Sequence, residues 1–175
     1  KPEKLCPKFD EVVFNVVLDD LSGDGVTDVI TVGHEGIYLI EGKSDGTFPG
    51  HARLIWSAPK KVLDPMVVTT GDIDNDGDAD LWFSQYKLPY VKGQMPSPIH
   101  DSNDGFPGYL LINDGSGNLS DRTKAAGLEA KRYRRSYSAS FADLDNDHDL
   151  DLVVISDFSG ADLHLNDGLG NFEDA

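Results

Sequence analysis

A single cysteine, Cys6, stands in a chain of 175 residues, so neither an internal disulfide nor a cysteine-built zinc site can form. That thiol is either free or buried, or it pairs with a part of the protein outside this sequence. No apolar run reaches about 18 residues, which excludes a transmembrane helix. No basic segment followed by an apolar one reads as a signal peptide. The sequence begins at Lys1 rather than Met, so a processed or truncated product is expected, and the missing signal peptide does not argue for the cytosol. Positive charge is also scarce, with 15 Lys and Arg against 31 Asp and Glu and a formal net charge of -16. That balance argues against nucleic acid or an anionic membrane surface as the main partner. Catalytic signatures are missing too. His34, His51, His100, His148 and His164 are scattered, no HExxH or GxSxG occurs, and no Gly-rich phosphate loop leads from a strand into a helix.

What the chain does have is Asp, concentrated in three short loops: DLSGDGVTD from Asp20 to Asp28, DIDNDGDAD from Asp72 to Asp80, and DLDNDHDLD from Asp143 to Asp151. At about 4 Å, each pair of like charges costs roughly 1 kcal/mol in bulk water and roughly 4 kcal/mol near a protein surface. Such loops close only around a cation. The segments between them are rich in Val, Ile, Leu, Phe and Tyr, and 39% of the chain is hydrophobic, so the acidity does not signal disorder. The ligand set is oxygen only, which fits zinc or copper poorly. A flexible cage of several carboxylates and one backbone carbonyl favours calcium over magnesium. In the second loop, ligation is expected from Asp72, Asp74, Asp76 and Asp80, with the Asp78 carbonyl at position seven. The third loop repeats this with Asp143, Asp145, Asp147 and Asp151, and the Asp149 carbonyl. In the first, Asp20, Asp24 and Asp28 are the acids, Val26 takes position seven, and Ser22 replaces an acidic ligand, so this site is expected to be the weakest of about three. An EF-hand would need Glu at position twelve and flanking helices. Position twelve is instead Thr31, Phe83 and Val154, each within a run that reads as strand.

Aligning the loops exposes an internal repeat. An alternating strand enters each loop (Phe14 to Leu18, Met66 to Thr70, Tyr137 to Phe141). A β-branched or aromatic strand leaves it (Asp28 to Val32, Asp80 to Ser84, Asp151 to Ile155). Turns at Gly33 to Gly36 and Asp157 to Gly160 predict tight hairpins into third strands at Ile37 to Ile40 and Asp162 to Leu165, with Tyr109 to Ile112 as their counterpart in unit two. Each unit closes on a Gly-rich turn and an apolar residue, Phe48, Leu119 or Phe172. Unit two is longer than the others by about 19 residues, placed between Gln85 and Gly108. Its four prolines and its aromatic residues predict an ordered surface loop, either tolerated or in contact with a ligand. TKAAGLEAKRY, from Thr123 to Tyr133, predicts an inter-unit connection with at most one helical turn. Its neighbours Lys131, Arg132, Arg134 and Arg135 either compensate the acidic loops, lie in solvent, or bind a sulfated or carboxylated glycan.

Units of the form ADLDNDHDLDLVV followed by LHLNDGLGNF resemble FG-GAP/VCBS repeats, the calcium-bearing blades of integrin-α-type β-propellers. The stretch from Asp121 to Leu128 with Arg134 to Val154 is similar in particular to the ASPIC/UnbV group. The resemblance covers the chain from about Phe14 onward. It implies an all-β fold of about three four-stranded propeller blades with the metal loop between the first two strands. The blades are expected at about 10–62, about 63–130 with the insertion 85–108, and about 131–175, the last incomplete. Propellers close with about four to eight blades, so three units imply part of a larger, seven-bladed-type ring, with exposed edges open to self-association or to remaining blades. His148 replaces the loop Gly, a position wanting left-handed backbone that His tolerates better than most residues.

The function expected from these features is a calcium-binding, non-enzymatic, secreted or surface module, extracellular or periplasmic, that mediates adhesion by binding protein or glycan. Two other readings stand beside it. One is an accessory or substrate-binding propeller of a polysaccharide- or lipid-active enzyme, for which Tyr90, His100, Asp101 and Asp104 on the insertion are the candidate groups. The other is a structural repeat of a surface or fibre assembly.

Overall fold

The computed structural model describes residues 14–89 and 95–175, and among these described residues strands and one short 3-10 turn are the regular elements. The first antiparallel sheet runs β1 (Val16–Asp19), β2 (Asp28–Val32), β3 (Gly36–Ile40), β4 (Arg53–Ser57) in that order. The second runs β5 (Pro65–Gly71), β6 (Asp80–Gln85), β7 (Tyr109–Asn113), β8 (Leu119–Asp121). The third runs β9 (Arg135–Ala142), β10 (Asp151–Asp157), β11 (Gly160–Asn166), β12 (Phe172–Asp174). These are three propeller blades, each with its acidic loop between the first two strands. The third blade, expected to be incomplete, has all four strands. Its outermost strand, β12, is only three residues long, held by pairing of Asn166 with Phe172 and of His164 with Asp174. The 3-10 turn at Leu128–Lys131 is the single helical turn expected between the second and third blades.

Blades stack face to face, which explains why β2 is buried at every position rather than at every second one. One core lies between the first two blades. Leu21, Ile30, Val32, Ile37 and Leu39 meet Leu81, Phe83, Tyr109 and Leu111 there, and the Phe83 and Tyr109 rings stack 5.1 Å apart. A second core between blades two and three joins Ile73, Trp82 and Leu110 to Leu152, Val154 and Phe172. The second residue of each acidic loop is the apolar plug of this stack. Leu21 and Ile73 are 0% and 1% exposed, each covered by the following blade, while the equivalent Leu144 of blade three is 39% exposed.

A polar latch accompanies each plug. Asn113, at the end of β7, donates from Nδ2 to the Leu21 carbonyl of the preceding blade at 3.0 Å and to Ala79 O at 3.2 Å. Asn166, at the end of β11, does the same to Ile73 O at 2.7 Å and Leu150 O at 3.1 Å. Their Oδ1 atoms accept the amides of Gly117 and Gly170, which shapes the Gly-rich turns. Both glycines have φ near 73°, a left-handed conformation that other residues adopt at a cost. Asn166→Ala leaves two carbonyls and one amide without a partner in a buried setting. At about 1–3 kcal/mol per orphaned group, the three groups put its expected cost at about 3 kcal/mol or more. Chemical denaturation should show a lower midpoint with an unchanged slope.

Candidate metal loops and the insertion face

The three loops share one frame. The first Asp folds the loop onto itself. Asp20 Oδ1 and Oδ2 accept the amides of Gly23, Asp24 and Gly25. Asp72 accepts those of Asp76 and Gly77, and Asp143 those of Asn146 and His148. The fifth Asp accepts the amide of the seventh residue: Asp24 from Val26 at 2.9 Å, Asp76 from Asp78 at 3.0 Å, Asp147 from Asp149 at 3.0 Å. Two left-handed residues permit the tight winding. One is the sixth, Gly25, Gly77 or His148, so His148 does take the conformation expected of it, at φ 81°. The other is the fourth, Gly23, Asn75 or Asn146, which sequence reasoning missed although Gly and Asn are the residues that tolerate it.

The ninth Asp is the anchor. Asp28, Asp80 and Asp151 are fully buried. One carboxylate oxygen of each accepts an amide at the start of its own loop, from Leu21 and Ser22, from Ile73, or from Leu144. The other accepts the amide that follows or ends the third strand, at Gly42, Asn113 or Asn166. The chain equivalent of the latch asparagines in blade one is therefore Gly42, where a Cβ would meet Thr27 O at 2.1 Å.

Asp72, Asp74 and Asp80 place carboxylate oxygens within 4.8 Å of one another, and so do Asp143, Asp145 and Asp151. Asp76 and Asp147 do not join these groups; each accepts the amide two residues on in its own loop. Among the described residues no third group of this kind forms, so Asp20, Asp24 and Asp28 stay apart, consistent with Ser22 standing where loops two and three carry an acid. Burial pushes the Asp80 carboxyl up to about 7 from its ordinary 3.8. Burial, with the Asp76 charge second, raises that of Asp74. Asp145 is raised as well, again chiefly by loss of solvation. Among the described residues three buried side-chain oxygens have no hydrogen-bond partner, Oδ1 of Asp74, Oγ of Ser22 and Oγ of Ser84, and the first two belong to the third residue of a loop. Native proteins rarely leave buried acceptors orphaned unless an ion or water completes them, so the residues present fit a hard divalent cation. Asp72, Asp74 and Asp80 would hold it in loop two, and Asp143, Asp145 and Asp151 in loop three.

The pH dependence follows from Asp80. Its raised carboxyl favours the ion-free fold fully below about 3.8, and that advantage is lost as pH rises through about 7. A cation needs the carboxylate, so it gains as the proton leaves. The calcium-induced rise in melting temperature is expected to grow from about pH 4 to about 7 and to level off above. Scans in calcium and in EGTA across that range measure it. The buried His164, whose pKa burial lowers, falls out of this difference because it titrates in both states.

At the opposite end of the blades lies the insertion, between β6 and β7. Tyr90 falls outside the described residues. The basic cluster neither lies in solvent nor faces the acidic loops; its Arg134 and Arg135 fasten the insertion to blade three. Arg135 forms a two-pronged pair with Asp104, both contacts at 2.8 Å, and its hydrogen bonds hold the Asp104 carboxyl well below the usual carboxylate range. Arg134 reaches Asp162 at 2.9 Å, Asp101 at 2.6 Å and the buried Ser102 carbonyl at 3.0 Å. Lys131 bridges Asp162 and Asp174, and the Arg132 guanidinium lies 4.7 Å over the Tyr109 ring. Gly105 and Gly108 donate their amides to the carbonyls of Tyr133 and Arg132, and a Cβ at Gly105 would fall within 2.8 Å of two carbonyl oxygens. Asp101 and Asp104 are thus ion-paired structural groups, while His100 is exposed. Beside them Tyr86 donates its hydroxyl to Asp157 at 2.9 Å and packs against the half-exposed Tyr137 ring. The clamp is not legible in sequence, since Asp162 and Ser102 on Arg134 and Asp104 on Arg135 lie 28 to 32 positions away.

The model of the FG-GAP-like repeat family matches residues 20–83 and 100–154. The two segments take in all three acidic loops, and the break between them falls on the insertion. Among solved structures, the chain is similar to one described as the structural basis of specific recognition of non-reducing terminal N-acetylglucosamine by an Agrocybe aegerita lectin. The likeness has a TM-score of 0.55 at 20% identity and covers 90% of this chain and 36% of that one. The chain therefore spans about a third of the length of that structure, and at this identity the likeness speaks for the fold alone. Comparison with curated proteins found no match.

Proposed function

The chain belongs to the FG-GAP-like repeat family, and from that premise we propose that it is a calcium-stabilised, non-enzymatic extracellular module that binds a protein or glycan ligand. The observation that carries the metal half of this reading is Oδ1 of Asp74, buried without a partner beside Asp72 and the buried Asp80. Bound calcium supplies charge neutralisation and a fixed loop shape. The chain's own residues do the rest: the ninth Asp ties the loop to the third strand, and the second residue, held by that loop, plugs the next blade. The ions are structural, three at most, with loop one the weakest because its acids do not converge.

Ligand binding is assigned to the opposite end of the blades, where the insertion departs from the repeat and presents exposed Leu88 and Ile99, with the half-exposed Tyr137 of β9, on a frame made rigid by Arg134 and Arg135. Glycan is the first ligand class to test because the lectin of similar fold is described as recognising terminal N-acetylglucosamine, an analogy of fold. No helix among the described residues is long and apolar enough to cross a membrane. Calorimetric titration tests the metal half and should find calcium binding that Asp74→Asn abolishes at loop two. Absence of binding at millimolar calcium would overturn it. A glycan and protein array probed with the wild type and with Tyr137→Ala tests the ligand half. Unchanged signals in the variant would move the binding surface elsewhere.

A further inference from the structure

Loop two is gripped by blade three at two points, and one grip reaches directly into loop three. Asn75 Nδ2 donates to Oδ1 of Asp149 at 2.8 Å and to Gly168 O at 3.2 Å. Asn75 is the fourth residue of loop two, between Asp74 and Asp76, and takes φ 59°. Asp149 is the seventh residue of loop three, its amide already bound by Asp147. Its carboxylate packs so closely on the Gly168 turn that a Cβ there would come within 2.5 Å of it. One side chain therefore joins the backbone of one acidic loop to the residue of the next that is assigned to ligate through its carbonyl. The second grip, Asn166 on Ile73 O, fixes the same two loops in register.

The junction between loops one and two serves as an internal contrast. Its fourth residue is Gly23, which has no side chain, and the turn of blade two leaves no room for one, with a Cβ 2.6 Å from Gly115 O. The chain thus contains one pair of loops joined by the side chain of a fourth residue and one pair without that link, both pairs sharing the asparagine latch.

We propose that Asn75 is a positioning residue that couples cation binding at loop two to cation binding at loop three. The proposal rests on the metal reading above. An ion in loop two draws in the carboxylate of Asp74 and settles the peptide of Asn75. The amide of Asn75 is then held on Asp149, and the seventh residue of loop three has less freedom to lose when its own ion arrives. Coupling of this kind is reciprocal, so either ion favours the other. Repulsion between the two ions acts against it, but equally with or without the Asn75 side chain.

The test measures calcium affinity of loop two by calorimetry, with loop one disabled throughout by Asp24→Asn and loop three either intact or disabled by Asp145→Asn. With Asn75 present, disabling loop three should weaken loop two by about fivefold to tenfold, the lower range of measured couplings. In the Asn75→Gly background, which copies Gly23 and suits the left-handed conformation, disabling loop three should no longer weaken loop two and, with only the ion repulsion relieved, should leave it equal or slightly tighter. A purely structural role would lower the melting temperature in EGTA and leave the coupling intact. As a second measurement, filling loop two in the Asp145→Asn protein should slow amide exchange around Asp149 with Asn75 and not in the Asn75→Gly protein. Equal coupling in both backgrounds overturns the proposal while leaving the metal reading standing. No calcium binding by the protein with all three loops intact overturns both.

Discussion

Excess EGTA is expected to lower the melting temperature of the protein by about 10–20 °C. A ligand that binds only the folded state adds about 2.7 kcal/mol per site at a hundredfold excess over its dissociation constant, and loops two and three each bring three carboxylates together. Roughly 5 kcal/mol over two sites, at about 2–4 °C per kcal/mol for a chain of this size, gives that range. The loss should be visible in the packing as well as in the loops. Leu21 and Ile73 sit in the inter-blade cores and are the second residues of their loops, so releasing an ion loosens a plug. Magnesium should restore less of the stability, because its octahedral preference suits these flexible carboxylate loops less well. An unchanged melting temperature in EGTA would mean that the amide bonds to Asp72, Asp80, Asp143 and Asp151 hold the loops shut unaided.

The second large effect is expected at the other end of the blades. Arg134→Ala should cost about 3 kcal/mol, or about 6–12 °C, the low end for breaking a buried ion pair. The low end applies because Lys131 remains on Asp162, and the Ser102 carbonyl keeps its bond from Ser159 Oγ at 2.6 Å. What is lost is the fork that ties Asp101 and Ser102 of the insertion to Asp162 of β11. Limited proteolysis should then cut within 85–108 at protease levels that leave the wild type whole. Arg134→Lys should recover little, since a single ammonium cannot reach the carboxylates and the carbonyl together. Global unfolding without earlier cleavage of the insertion would show that Arg134 supports blade three alone.

Much of this architecture was legible because it is local. The alternation in MVVTT, the β-branched runs after each loop and the turn residues state strand, loop and hairpin within a dozen residues, where side-chain period and backbone preference act directly. The acid spacing of loops two and three was legible for the same reason, since one loop supplies all the ligands. Residues whose partners lie in another blade were not. Asn113 and Asn166 had only the shared NDGxGN turn as a signal, which blade one replaces with Gly42 and Lys43. Asp76 and Asp147 had the right spacing, yet they do not join the three-carboxylate groups. The basic run from Lys131 to Arg135 looked like a neutraliser of acidic loops or a solvated patch. Tertiary structure instead placed it against acids at the other end of the blades.

The sequence by itself determined the repeat, the strand-loop-strand grammar of each blade and the oxygen-only chemistry of its loops. All of these depend on residues within one turn or one hairpin of each other. Only the tertiary structure decided which acids converge, that Asn75 joins two loops, and that the insertion is clamped rather than free. Those outcomes depend on which face of one blade meets the next, a relation that no local spacing encodes.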